Sequence, residues 1–273
     1  MFIALIITLA IVAAVAAGFA VGRSAHDNLV ARVRKQTAEA QPPVEGRYSA
    51  DLVHDQPGEV QRFFNHAIAP DTPFASAVTL EMEGQFRPKP EGGFAPFTAT
   101  EILSNEGFLW EASVAFAPNR TVEGADGFGA QGGFTRFYLF RYLPKVSASG
   151  PEASQSAAAR AVGEFLWFPH ALLPQAGTAW SVKPDGRITF YREIHGWPVS
   201  GTLTLEPSGA VRELVMARHR GGPDKGLHTF VVTVEEYGVF ARYTVPIRVR
   251  ASWHSPRIRE DFFIATIKSA DYR

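Results

Sequence analysis

The sequence contains no cysteine, which excludes disulfides, thiolate metal sites and cysteine nucleophiles. It does not fix the compartment, because reducing and oxidising compartments both host cysteine-free proteins. An excess of charge is missing too: 27 basic residues balance 27 acidic ones. A chain near neutrality, with its basic residues scattered, has no basic footprint for nucleic acid. There is no HExxH, and no two of the eight histidines stand at i, i+4. There is no Gly-x-Ser-x-Gly elbow. Neighbouring acids such as Glu235-Glu236 and Glu260-Asp261 would point to opposite faces of a strand and form no acid/base pair. The expectation is therefore no catalytic set, no metal and no cofactor.

Aromatic residues and turn-formers are plentiful. The 273 residues include 21 Phe, 7 Tyr, 5 Trp, 24 Gly and 19 Pro, a composition that favours β-structure broken by many turns.

Residues Phe2 to Gly22 carry no charge and are mostly Ile, Leu, Ala and Val. About 20 apolar residues suffice to span a bilayer, so residues 1–22 read as a transmembrane anchor. A cleaved signal peptide is the rival, with small residues at Ala14-Val15-Ala16 and Gly18-Phe19-Ala20; it would need a basic leader and a shorter apolar core. Arg23, Arg32, Arg34 and Lys35 follow the span. By the positive-inside rule they place the domain in the cytoplasm, with a periplasmic or extracellular domain as the alternative. Residues 23–56 read as a basic, solvated stalk and a linker, the linker centred on Gln41-Pro42-Pro43-Val44-Glu45-Gly46. Residues 57–273 read as one domain.

Within that domain the spacing predicts a helix over Pro57–Ala69, with Val60, Phe63, Phe64, Ala67 and Ile68 on one side, and an Ala-rich helix over Ser154–Leu166. Period-two alternation predicts strands near 78–86, 97–103, 108–115 and 134–140. After the second helix it predicts more at 188–194, 199–206, 211–220, 227–236, 239–254 and 261–271. Leu143 to Pro151 reads as a loop, and Gly221-Gly222-Pro223 as a break. Val122 to Gly133 holds five glycines, but their spacing fits neither a dinucleotide nor a phosphate loop. They read as bulges, bends or close backbone approaches. Such short connections permit only antiparallel pairing.

Two helices cannot roof about ten strands. The expected fold is mainly β: a curled antiparallel sheet, half-barrel or open barrel, plugged by the helices and by Trp167–Pro174. Arg212, Arg218, Arg220, Glu235, Arg242, Arg248 and Arg250 are expected on its wet outer face. An apolar inner face beside a membrane anchor suggests a hydrophobic or lipid-like ligand. A solid-core interaction domain, or an enzyme with an unrecognised site, are the alternatives. The candidate ligand-binding residues are Glu164 and His170 within the apolar segment Glu164–Pro174, Trp167, Trp180, Arg136 and Arg218. The competing reading has His170 satisfying loop backbone groups and the tryptophans packing the core.

Glu164-x-x-Trp167-Phe168-Pro169-x-Ala171-Leu172-Leu173-Pro174, followed by Trp180, resembles the core motif of a domain-of-unknown-function family of bacterial and archaeal proteins with N-terminal membrane segments. Gly107-Phe108-x-Trp110-x-Ala112, Val122-x-Gly124-x-Asp126-Gly127-Phe128 and Pro246 before Trp253 fit the same pattern. The resemblance implies the architecture and the anchor, and brings no activity. In shape, the expected fold is similar to bacterial lipoprotein-carrier half-barrels, which hold acyl chains; fold alone does not imply function.

Overall fold

A computed structural model describes residues 2–39, 45–221, 225–255 and 259–273. The linker read at 41–46 and the break at 221–223 lie largely outside the described residues. Helix α1 (Phe2–Arg34) is followed by a π-helical turn, Lys35–Glu39. Helix α2 (Gly58–Ala67) comes next, and then six strands: β1 (Ala77–Phe86), β2 (Ala95–Ser104), β3 (Gly107–Ala117), β4 (Arg120–Gly129), β5 (Gly132–Leu139) and β6 (Leu143–Ser149). Helix α3 (Pro151–Glu164) and three short 3-10 turns between Phe165 and Ala176 lead to the second set. This comprises β7 (Ala179–Val182), β8 (Ile188–Ile194), β9 (Trp197–Leu205), β10 (Val211–Arg220), β11 (Gly226–Phe240), β12 (Tyr243–His254) and β13 (Arg259–Tyr272).

All thirteen strands join one antiparallel sheet, in the order β6-β5-β4-β3-β2-β1-β13-β12-β11-β10-β9-β8-β7. Two meanders thus meet at a seam where β1 pairs with β13, Val78 opposite Tyr272 and Phe86 opposite Phe263. The two outer edges, β6 and β7, are consecutive in sequence, joined through α3. A 14-residue helix spans roughly 20 Å, so the edges must come round toward each other. Helix α3 lies across that gap. Its Ala153 and Ala157 lie against Gly133 of β5, Gly163 faces Leu214 and Met216 of β10, and the Ser156 hydroxyl donates to the His219 carbonyl (2.8 Å). The curled, helix-plugged sheet expected from the strand-to-helix ratio is what forms.

Three strands exceed the sequence reading. Leu143–Ser149 is edge strand β6 rather than a loop: every residue in it is exposed, so it carries no burial alternation to read. The short β7 and the Gly-rich β4 are the others. The glycines of β4 allow close approach, not bulging, because β4 pairs β5 without a register shift. A Cβ at Gly124 would collide with the Arg136 carbonyl, and one at Gly127 with the Phe134 ring.

The concave face holds one continuous apolar core, from Tyr48 and Val60 through Leu80, Phe108 and Phe165 to Ile267. One end of the curl is plugged. There Phe63 and Phe64 of α2 pack on Trp180, the Arg62 backbone covers Gly209 in the β9–β10 turn, and residues 165–173 are almost wholly buried. The other end carries the β1–β2, β3–β4 and β5–β6 turns, and among the described residues it has no such plug.

The segment after Arg23 is not a solvated stalk. Val30 and Val33 of α1 are buried against Leu109, Ala125 and Phe134 on the convex face. His26 packs on the Tyr138 ring, and Arg34 pairs with Glu111. Arg23 pairs with Asp27, and Arg32 donates to Gln131. Three of the four basic residues behind the cytoplasmic expectation, Arg23, Arg32 and Arg34, therefore have local partners, and nothing in the fold supports a cytoplasmic side.

Candidate functional site

The concave face leaves a cavity of about 860 Å³ between β3–β6 on one side and β10–β13 on the other. Its walls are mainly apolar, with Trp110, Phe137, Leu166, Trp167, Phe230 and Trp253 among them. Strand alternation builds these walls. Val122, Asp126 and Phe128 share one face of β4, Thr135, Phe137 and Leu139 one face of β5, and Leu214, Met216 and Arg218 one face of β10. Arg218 is thus an inner-face residue. The outer-face assignment fails because β10 keeps its period of two right up to the charged end of the strand. Arg220 also turns inward, its Nη2 donating to both carboxylate oxygens of Glu260 (2.7 and 2.8 Å). Arg248 and Arg250 do take the outer face, both bonded to Glu235.

The cavity has a charged floor centred on Arg160 of α3. Its guanidinium donates to Glu164 (2.6 Å), Asp126 (2.9 Å) and Glu101 (3.0 Å), and stands over the Phe108 and Trp110 rings. Burial alone would lower the Arg160 pKa; Glu164, Glu101 and Asp126 together outweigh burial and raise it. Glu101 is 1% exposed and lies behind Arg160, outside the cavity lining. Burial first, and Glu164 second, push its pKa well above the carboxylate range despite Arg160. Arg218 completes the floor. It stacks over Phe230 (4.3 Å), reaches the Ser156 hydroxyl at 3.5 Å, and is pushed down to about 10 by burial and by Arg160. Three of the floor's buried atoms, Asp126 Oδ1, Glu164 Oε2 and Arg218 Nε, have no protein hydrogen-bond partner.

Of the six candidates from the sequence, Glu164, Trp167 and Arg218 line this cavity. The other three lie elsewhere. His170 is at the plugged end: its Nε2–H donates to the Ala75 carbonyl (2.8 Å) and its Nδ1 faces the Tyr243 hydroxyl (3.2 Å). Burial lowers its pKa to about 4, against a smaller opposing effect from the Ala75 carbonyl, and keeps the ring neutral. Trp180 donates to the Leu172 carbonyl (3.0 Å) and packs between α2 and Phe190. Arg136 is on the convex face, since its neighbours Thr135 and Phe137 face inward. Alternation alone does not say which face of an isolated strand is concave.

The Trp-Phe-Pro-x-Ala-Leu-Leu-Pro run is pinned rather than reactive. Trp167 donates to the Pro246 carbonyl (2.7 Å), and Tyr272 donates to the Trp167 carbonyl (2.8 Å). The buried Arg192 binds the carbonyls of Ala171 and Ala176. Glu101, Asp126 and Arg160 were missed at the sequence level. Glu101 was readable: it shares its strand face with Phe97, Ala99 and Leu103, an acid on an apolar stripe.

Fold and site together define a curled antiparallel β-domain enclosing an apolar cavity with a polar floor. The chain belongs to a family of unknown function (DUF6544), whose model matches residues 46–264. No curated protein matches it. Among solved structures it is similar to a putative outer membrane lipoprotein-sorting protein domain from Vibrio parahaemolyticus, at 7% identity and a TM-score of 0.42, covering 82% of this chain and 92% of that one. A LolA superfamily protein from Nitrosomonas europaea is similar at 8% identity and a TM-score of 0.42, covering 79% and 92%. A DUF1329 family protein from Desulfovibrio piger is similar at 10% identity and a TM-score of 0.38, covering 82% and 91%. Likenesses this weak carry no functional meaning for this chain.

Proposed function

We propose that this protein is a membrane-anchored carrier or receptor for one hydrophobic, lipid-like molecule, held in the cavity of a single domain spanning residues 57–273. The carrying observation is the cavity itself: about 860 Å³, walled by apolar side chains, with a few converging polar groups at its floor. Small-molecule sites run to roughly 300–1,000 Å³ with the same division of labour. The bare Asp126 Oδ1 and Glu164 Oε2 each accept a hydrogen bond and the bare Arg218 Nε–H donates one. Because the floor offers both acceptors and a donor, with Arg160 already paired to three acids, it favours an amphiphile whose head carries a hydroxyl or amide rather than a strongly charged group. Glu164, Trp167, Arg160 and Arg218 bind that head and the first part of its chain.

No residue here is assigned a catalytic role, because Glu101 is sealed behind Arg160 and away from the cavity. Residues 2–22 anchor the protein. Among the described residues α1 is the one helix long and apolar enough to cross a membrane, and Ile6, Ile7, Leu9 and Ile11 are more than half exposed. Its continuation into the packed convex face supports a retained anchor over a cleaved leader.

Organic extraction of the purified full chain, followed by mass spectrometry, tests the carrier reading. A stoichiometric lipophilic species is expected. Met216→Trp, which fills the cavity from β10, should abolish its recovery and the binding of a fluorescent acyl probe while leaving thermal unfolding cooperative. Recovery of no lipophilic species from the unaltered chain, with no probe binding, would reject the reading.

A further inference from the structure

The cavity opens through the unplugged end of the sheet, and α1 leaves the domain at that same end. Gln36 lies near Gly129 in the β4–β5 turn, close to the plugged end. Val30 and Val33 lie against Leu109, Ala125 and Phe134. Arg23 and His26 reach Tyr138, one residue short of the open-end terminus of β5. Read backwards, the helix axis therefore runs from the plugged end to the open end. At 1.5 Å per residue, the apolar stretch from Ile6 to Ala20 carries it roughly 20 Å further.

The turns at that end have the composition of a membrane-interface belt. Phe94, Phe116, Phe140 and Tyr142 are exposed, Phe140 at 56% and Tyr142 at 53%. Aromatic rings of this kind settle at the headgroup level. Basic residues stand among them: Lys89, Arg120 and Lys145 line the cavity mouth, and Arg141 pairs with Glu123. The β1–β2 turn adds one acid, Glu91. Such a cluster is complementary to anionic headgroups. Phe116 and Val146 belong both to the exposed rim and to the cavity lining, so the mouth opens through the rim.

We propose that this rim rests on an anionic bilayer surface, with the cavity mouth facing the headgroups, so that the ligand exchanges with the membrane without crossing water. The proposal rests on the anchor and carrier readings above. It commits to a lipid surface because the apolar helix, the exposed rings and the basic residues all converge at one end of the domain.

Because the chain has no cysteine, a single introduced thiol reports on one position. Phe140→Cys and Tyr142→Cys at the rim, and Asp185→Cys in the β7–β8 turn at the other end, are each labelled with an environment-sensitive fluorophore. The full chain is then reconstituted into phosphatidylcholine vesicles containing phosphatidylglycerol and a nitroxide-bearing lipid. The rim labels are expected to be quenched several-fold more than the Asp185→Cys label. Omitting phosphatidylglycerol, or adding Lys89→Glu and Lys145→Glu, should reduce that difference. Equal quenching at rim and control positions would overturn the proposal. So would rim labels protected only as protein concentration rises, which would assign the rim to a second copy of the chain. Lipid extracted from the same preparation reports on the cavity independently, so loss of the rim contact and loss of the ligand are told apart.

Discussion

Arg160→Met tests the floor of the site. The substitution keeps the volume and the contacts to Phe108 and Trp110, and removes three charge-assisted hydrogen bonds of 2.6 to 3.0 Å. Arg160 is 14% exposed and its partners range from 1% to 23%, so solvent cannot replace the lost cation. Removing one partner of a buried ion pair costs about 3–5 kcal/mol, because the remaining charge stays buried without compensation. For a domain of this size that is a fall in Tm of roughly 10 °C. The cost has a characteristic pH dependence. Glu101 already has a folded pKa above its unfolded value, so the folded state binds more protons and its stability falls as pH rises through that interval. Without Arg160, whose charge opposes the shift, the folded pKa rises further and the interval over which stability falls extends to higher pH. Thermal and denaturant unfolding of both proteins between pH 5 and pH 8 measures this. The deficit should be smallest near pH 5 and largest near pH 8, and Glu101→Gln in the Arg160→Met background should recover part of it. A deficit below about 1 kcal/mol at pH 7, flat with pH, would refute the idea that Arg160 holds the floor together.

At His170 the sign is opposite. Its folded pKa of about 4 lies below the ordinary 6.5, so its contribution is complete above 6.5 and is lost as pH falls toward 4. That loss is on the order of 3 kcal/mol, and His170→Gln should flatten this acid limb in a pH series of unfolding curves. Gly124→Ala places a methyl group against the Arg136 carbonyl and should cost more than about 2 kcal/mol, or prevent folding; soluble yield and Tm would show it. Chains starting at residue 23 should unfold at a higher temperature than chains starting at residue 45, because only the former cover Leu109, Ala125 and Phe134. Each buried valine of that contact contributes about 1.5 to 3 kcal/mol before the cost of ordering the helix.

The sequence by itself determined the local elements and, through their proportions, the architecture. Period-two alternation marked ten of the strands, an uncharged run marked α1, and the shortage of helices forced the sheet to curl, because an uncovered apolar face cannot stay in water. It also showed that the apolar segment up to Pro174 would plug the sheet, and residues 165–173 are buried there. Tertiary structure alone decided which side of each strand became the interior. Arg218 and Arg136 both sit in amphipathic strands; the curl put one in the cavity and the other under α1. It also brought together Glu101, Asp126, Arg160 and Glu164, which are up to 63 positions apart in the chain. On its own, Arg160 is an arginine in an alanine-rich helix, indistinguishable from a solvated one. Only when β6 and β7 are drawn round to be bridged by α3 does that helix lie across the concavity, with its guanidinium enclosed by three carboxylates.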